Sequence, residues 1–254
     1  MKNAFKWAPG VLLAAAGAIG LILTRENALA EGAPAGSKVL FAVCCIGLLL
    51  GIIQAVRVYV PERKTDIRTL TLSALFAALC YIGFAYLRLD IPVGTEKTAF
   101  HFGNVFCVLA ALFLGGFWGG MSGAVGLTIA DLTSAYITSA PKTFLLKFCI
   151  GLVAGFAAHR VFHISREQDR KISLPVAVTL SSACGMIFNI VADPVAGYFY
   201  KMYVLGIPQQ AANLWAKMGA VTTLVNGVIA IIVSSVLYLA VRKPLSRNNI
   251  LPKL

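Results

Sequence analysis

The chain is poor in acid. Of 254 residues only 10 are Asp or Glu, against 22 Lys and Arg, and only 13% are charged at all. Soluble domains carry about 25% charged residues, so a water-facing globule is excluded. Histidine is scarce as well, with three in the whole chain. The six cysteines (Cys44, Cys45, Cys80, Cys107, Cys149, Cys184) show no C-x-x-C spacing and all fall in apolar stretches, so they read as small packing residues. His159 and His163 stand four apart at a basic helix end, a pattern of a solvated terminus more than of a metal pair. There is no G-x-S-x-G, no H-E-x-x-H and no G-x-x-x-x-G-K-[ST]. Without a phosphate-binding loop the chain cannot drive transport with ATP on its own. No hydrolytic or redox signature stands in its place, so binding is a more economical reading than catalysis, and no metal or cofactor is implied.

What the chain has is apolar length. It is 59% hydrophobic, with a mean hydropathy of +0.82. Eight windows approach the ~20 apolar residues that cross ~30 Å of hydrocarbon: roughly 8–24, 39–60, 67–87, 102–117, 119–137, 144–162, 174–200 and 215–241. In an open chain only helices satisfy the backbone in lipid, so an all-α polytopic bundle is expected. The fourth and fifth windows almost touch, which predicts a tight hairpin of Gly115, Gly116, Gly119 and Gly120. Lys and Arg alternate between two sets of loops, fourteen on the side of both termini and eight on the other. That asymmetry predicts cytoplasmic termini. The net charge of +12 is then a topology signal rather than a nucleic-acid footprint, because no basic tract has interleaved aromatics. Lys2, Lys6, the apolar run to Leu23 and Ala28-Leu29-Ala30 resemble a secretory signal. An uncleaved span is preferred, since a second apolar span follows directly.

Composition divides the chain into three parts. Residues 1–60 form a transmembrane helix pair with hardly a polar residue beyond Gln54. Residues 61–66 form a polar, Pro-containing cytoplasmic linker, and residues 67–254 a six-helix core with a cytoplasmic tail. No internal repeat is evident. The glycines of the hairpin and fifth window repeat at small-xxx-small spacing, which suits close helix packing in lipid. Ala74 and Ala78 form a second smooth face, for which internal packing and docking to a partner are equally open on spacing alone.

The core carries all the intramembrane polar groups. Ionisable side chains are expensive in hydrocarbon and usually line a substrate path or polar pocket. At one end of the core the expected topology gathers His101 and Asn104, Asp131 and Tyr136, Lys142 and Lys147, Asn189 and Asp193, and Trp215, with Asn226 deeper. These are the candidate substrate-binding residues. Asn189 and Asp193, four apart, share a helix face. Asp131 must pair, with Lys142 or Lys147 the available cations. Tyr203 fits an interfacial aromatic belt better than a pocket. The stretch 88–97, with Pro92 and Gly94 as turn residues, reads as a loop long enough to be a lid.

These residues carry a resemblance. LTLSALFAA over 70–78, HFGN over 101–104, LAALFLGG over 109–116, GGMSGAVGLTIADL over 119–132 and APKTFLLK over 140–147 resemble the substrate-binding S components of energy-coupling factor (ECF) vitamin transporters. The resemblance covers about 67–241. It implies a six-helix membrane protein that binds a vitamin or precursor at its outer face. It also implies delivery through a transmembrane coupling subunit and two ATPases, with the lipid bilayer as surroundings and no nucleic acid. It places Ala74 and Ala78 on the face that docks to the coupling subunit, and makes 88–97 the lid. Pyridoxine, hydroxymethylpyrimidine or a related small heteroaromatic is the favoured ligand, with riboflavin and pantothenate nearly as compatible. The helix pair at 1–60 is additional to the family pattern. The competing expectation is a stand-alone secondary carrier coupled to an ion through Asp131 or Asp193.

Overall fold

Apolar sequence at helical spacing builds nearly everything that is described. The computed structural model describes residues 66–251 apart from 94, 95 and 249, together with Leu12, Leu13, Ala16, Gly20 and Leu40, which are helical. The rest of the helix pair expected over 1–60, the linker as far as 65, Cys44, Cys45 and Gly94 lie outside the described residues. Two units divide the chain: 1–64 with 200–208, and 65–199 with 209–254. In the first, Tyr200–Val204 forms a short π-helix. The candidate residues all belong to the second.

That unit contains six α-helices between 66 and 251: α1 Ile67–Ala85, α2 Gly103–Leu114, α3 Gly116–Leu132, α4 Ala140–Phe156, α5 Leu174–Phe199 and α6 Gln209–Arg247. Pro141 sits in the first turn of α4, where its missing N–H costs nothing. Four of the apolar helical stretches are long enough to cross a membrane: Ile67–Ala85, Ile137–Val161, Leu174–Val204 and Gln209–Arg247. The protein is thus a multi-pass membrane bundle. Helix α2 is different. At 12 residues it reaches only about 18 Å, and all of its residues but Phe106 are buried. Its apolar sequence serves contact with protein on every side, which a hydropathy window cannot distinguish from contact with lipid.

Two expectations need correction. Only Gly115, with φ 82°, makes the turn between α2 and α3; Gly116, Gly119 and Gly120 are already inside α3. Their small size serves packing instead. A Cβ on Gly119 would run into the Ala111 backbone, and one on Gly151 into Gly120, so α3 lies backbone to backbone with both α2 and α4. The stretch expected to form a lid is no irregular loop either. Arg88–Val93 (β1) and Glu96–His101 (β2) pair antiparallel, from Arg88 opposite His101 to Val93 opposite Glu96. Pro92 therefore lies within β1, an edge position that tolerates its missing N–H. The physical signal was present in the alternation of Leu89, Ile91 and Val93 with Asp90 and Pro92.

At the opposite end of the bundle, a π-helix over Ala157–Val161 ends α4. His159 is not a merely solvated side chain: its Nδ1 lies 2.9 Å from Ser165 Oγ and its Nε2 3.3 Å from the Ala111 carbonyl. Cys80 and Cys107 are fully buried free thiols, in keeping with their packing role.

Candidate functional site

The hairpin lies against α6 at one end of the bundle, and beneath it the polar side chains divide into two groups. The first group is spent on holding protein to protein. Lys142 donates to Asp193 Oδ1 at 2.7 Å, and Thr223 on α6 donates to Asp193 Oδ2 at 2.9 Å. One carboxylate thus ties α4, α5 and α6 together. Asp131 pairs with neither lysine. It accepts a hydrogen bond from Thr143 Oγ1 at 2.5 Å, because the first turn of α4 brings that hydroxyl to the end of α3. Asn226 is also engaged: its Nδ2 donates to the Ala99 carbonyl at 2.9 Å and its Oδ1 accepts the His101 N–H at 3.0 Å. The indole N–H of Trp215, six residues into α6 rather than at its start, donates to the Val93 carbonyl at 3.1 Å. Tyr136 donates to Asp90 Oδ1 at 3.1 Å, and its ring stands edge-on to Phe84. Arg88 lies over both rings and reaches Asp90 at 3.3 Å. Burial, then the Asp90 carboxylate, raises the Tyr136 phenol above its ordinary range.

His101 ends β2 rather than opening a helix. Its Nδ1 accepts the Gly103 N–H at 3.1 Å and its ring packs on Phe84. An accepting Nδ1 requires the neutral ring. Burial, reinforced by the charges of Lys147 and Arg88, lowers its pKa to about 3.

The second group is buried and uncommitted. Asn189 is 0% exposed, and neither its Oδ1 nor its Nδ2 has a partner. Asn104 is 2% exposed with an unpaired Oδ1. Lys147 is 8% exposed, and its amine makes no hydrogen bond or ion pair among the described residues. Three observations put these side chains at one level. Cys107, a turn below Asn104, lies 3.7 Å from the Lys147 carbonyl through its Sγ. Gly185 on α5, a turn from Asn189, packs on Ile150 and Ala154 of α4, and Lys142 meets Asp193 a turn above. Unpaired buried amides cost roughly 1–3 kcal/mol each, so a native protein keeps them for a reason. No group of His, Cys, Asp and Glu among the described residues could hold a metal ion.

Sequence reasoning named the ten candidates, but it did not separate the engaged from the free. It also missed Thr98, Thr222 and Thr223, threonines whose hydroxyls form the cross-links; a threonine in an apolar helix gives no such signal from sequence. On α1, Ala74 and Ala78 are both exposed, in a stripe with Leu70, Thr71, Leu75 and Ile82.

Comparison with known proteins gives one match. The family described as ECF-type riboflavin transporter, S component, matches residues 64–243. Neither the curated proteins nor the solved structures yield a match. The family match covers α1 to α5, the hairpin and α6 as far as residue 243, and the ten candidate residues all lie within it. The chain belongs to the S components of ECF-type riboflavin transporters.

Proposed function

We propose that this chain is the substrate-binding subunit of an ECF-type importer and that it captures riboflavin beneath the hairpin. The observation that carries the reading is Asn189, whose whole carboxamide is buried without a partner. A carboxamide offers one donor and one acceptor side by side. It therefore complements the imide edge of a flavin, and the family description names riboflavin. Asn104 Oδ1 supplies a second acceptor and the Lys147 amine a donor for a ring carbonyl. Pyridoxine and hydroxymethylpyrimidine have fewer carbonyls to meet these groups, which moves the preference from them to the flavin.

The hairpin end faces outward in this reading, because the basic-rich loops mark the other side as cytoplasmic. Transport then requires a coupling subunit, docked on the Ala74/Ala78 stripe, and two ATPases. The chain performs no chemistry on its ligand. Asp131 and Asp193, the only carboxylates within the described helices, are engaged by Thr143 and by Lys142 with Thr223. An ion-coupled carrier would lack a carboxylate free to take up its ion.

The test is titration of the purified, detergent-solubilised chain alone with riboflavin, followed by flavin fluorescence quenching. Pyridoxine, hydroxymethylpyrimidine and pantothenate serve as competitors. Tight binding of riboflavin without partners or ATP, weakened in Asn189→Ala, supports the reading. No flavin quenching, together with direct binding of pyridoxine, hydroxymethylpyrimidine or pantothenate by calorimetry, would replace the substrate.

A further inference from the structure

The hairpin is held down by one face of one helix. Trp215, Thr222 and Asn226 lie at i, i+7 and i+11 on α6, a spacing that puts them in a single stripe about 17 Å long. Each meets the hairpin at a different height. Trp215 takes the Val93 carbonyl at the tip, and Thr222 Oγ1 meets Thr98 Oγ1 at 2.8 Å in the middle. Asn226 takes both the Ala99 carbonyl and the His101 N–H at the base. From there the chain of contacts runs inward. The His101 ring accepts the Gly103 N–H that opens α2, and the next residue is Asn104.

We propose that Asn226 is the latch of the lid: a positioning residue that clamps β2 to α6 and thereby fixes His101 and Asn104 over the pocket, without itself touching the ligand. This rests on the hairpin covering a binding site, as in the reading above. Asn226 suits the role because its carboxamide donates through one arm to a strand carbonyl and accepts through the other the N–H two residues on. Thr223, one turn before Asn226 and beside the same stripe, holds Asp193. Any displacement of α6 that frees the hairpin therefore loosens the α5 carboxylate at the same time.

The first measurement needs no ligand. Hydrogen–deuterium exchange of the solubilised chain should show the amides of 97–101 exchanging about tenfold faster or more in Asn226→Ala, the scale of two lost hydrogen bonds. Peptides of α2 and α4 should be unchanged. Unchanged exchange at His101 overturns the latch. The second uses a cross-link. In Thr98→Cys/Thr222→Cys, where the two hydroxyl oxygens now stand 2.8 Å apart, the oxidised chain should neither take up nor release riboflavin, and reductant should restore both. Equal uptake by the oxidised and reduced forms would show that the hairpin does not gate the site, and the latch falls. Riboflavin dissociation from Asn226→Ala should accelerate more than association changes, which a loss of ligand contact alone would also do. The exchange result separates the two. If no form binds riboflavin, the substrate assignment fails, while the exchange of His101 still decides the latch.

Discussion

Lys142 donates to Asp193 at 2.7 Å, and that pairing leaves Lys147, five residues further along α4, with no carboxylate of its own. Two lysines on one helix thus carry different burdens. The first fastens α4 to α5. The second is buried with no hydrogen bond or ion pair among the described residues.

Lys147→Met should therefore separate binding from stability. Riboflavin affinity should fall roughly 10- to 100-fold, the scale of one lost hydrogen bond to a charged donor. The ligand-free melting temperature should hold or rise, since a buried amine without a partner is replaced by a side chain of similar length. Unaltered affinity would remove Lys147 from the site.

Asp193→Asn should be destabilising by roughly 1–3 kcal/mol, because it strips Lys142 of its counter-charge in a partly buried setting. Lys142→Met combined with Asp193→Leu should recover much of the loss. A double-mutant cycle from denaturant or thermal unfolding in detergent measures the coupling. Additive effects would mean that the ion pair contributes nothing beyond its two side chains.

His101 gives the fold a pH dependence of definite sign. Its pKa lies near 3 in the folded chain, against an ordinary value of 6.5. Between those values the unfolded chain binds the extra proton, so stability falls as pH drops below about 6.5. The loss levels off near 3, where the folded form protonates as well. The contribution can reach about 1.4 kcal/mol per pH unit. His101→Asn, whose Oδ1 can still accept the Gly103 N–H, should flatten the melting temperature between pH 6.5 and 4.5 relative to the parent. An unchanged pH profile would assign the acid sensitivity to other groups.

Ala74→Trp and Ala78→Trp probe the far side of α1. Both positions are exposed, so the added rings meet no described neighbour in the bundle core. Riboflavin binding by the isolated chain should remain within about twofold, well under the tenfold that 1.4 kcal/mol represents. Uptake into cells or proteoliposomes that contain the coupling subunit and ATPases should be lost. Persistent uptake would move the docking surface elsewhere.

The fold was legible where a single physical constraint governs many residues. Six helices in the core followed from apolar length, and the small-xxx-small glycines of α3 foretold its close approach to α2 and α4. Legibility failed where two environments look alike in composition. The apolarity of α2 reflects burial in protein instead of lipid. Alternating residues from Leu89 to Val93 were masked by Pro92 and read as a loop. Within the site, residue types alone could not say that Asn226 is consumed by the hairpin while Asn189, equally placed on a helix face, is not.

By itself, the sequence determined that this chain lives in a membrane and which few polar residues its helices must shelter there. Hydrocarbon leaves a backbone no alternative to helices and makes each ionisable group conspicuous. The tertiary structure decided which of those groups satisfy one another. Thr98 and Thr222 meet across 124 positions, and His101 and Asn226 across 125. Hydrogen bonds are fulfilled over about 3 Å between particular atoms, so pairing is fixed only when helices and hairpin have taken their places. Among the candidate residues, what remains unpaired after that is the Asn104 Oδ1, the Lys147 amine and the whole Asn189 carboxamide.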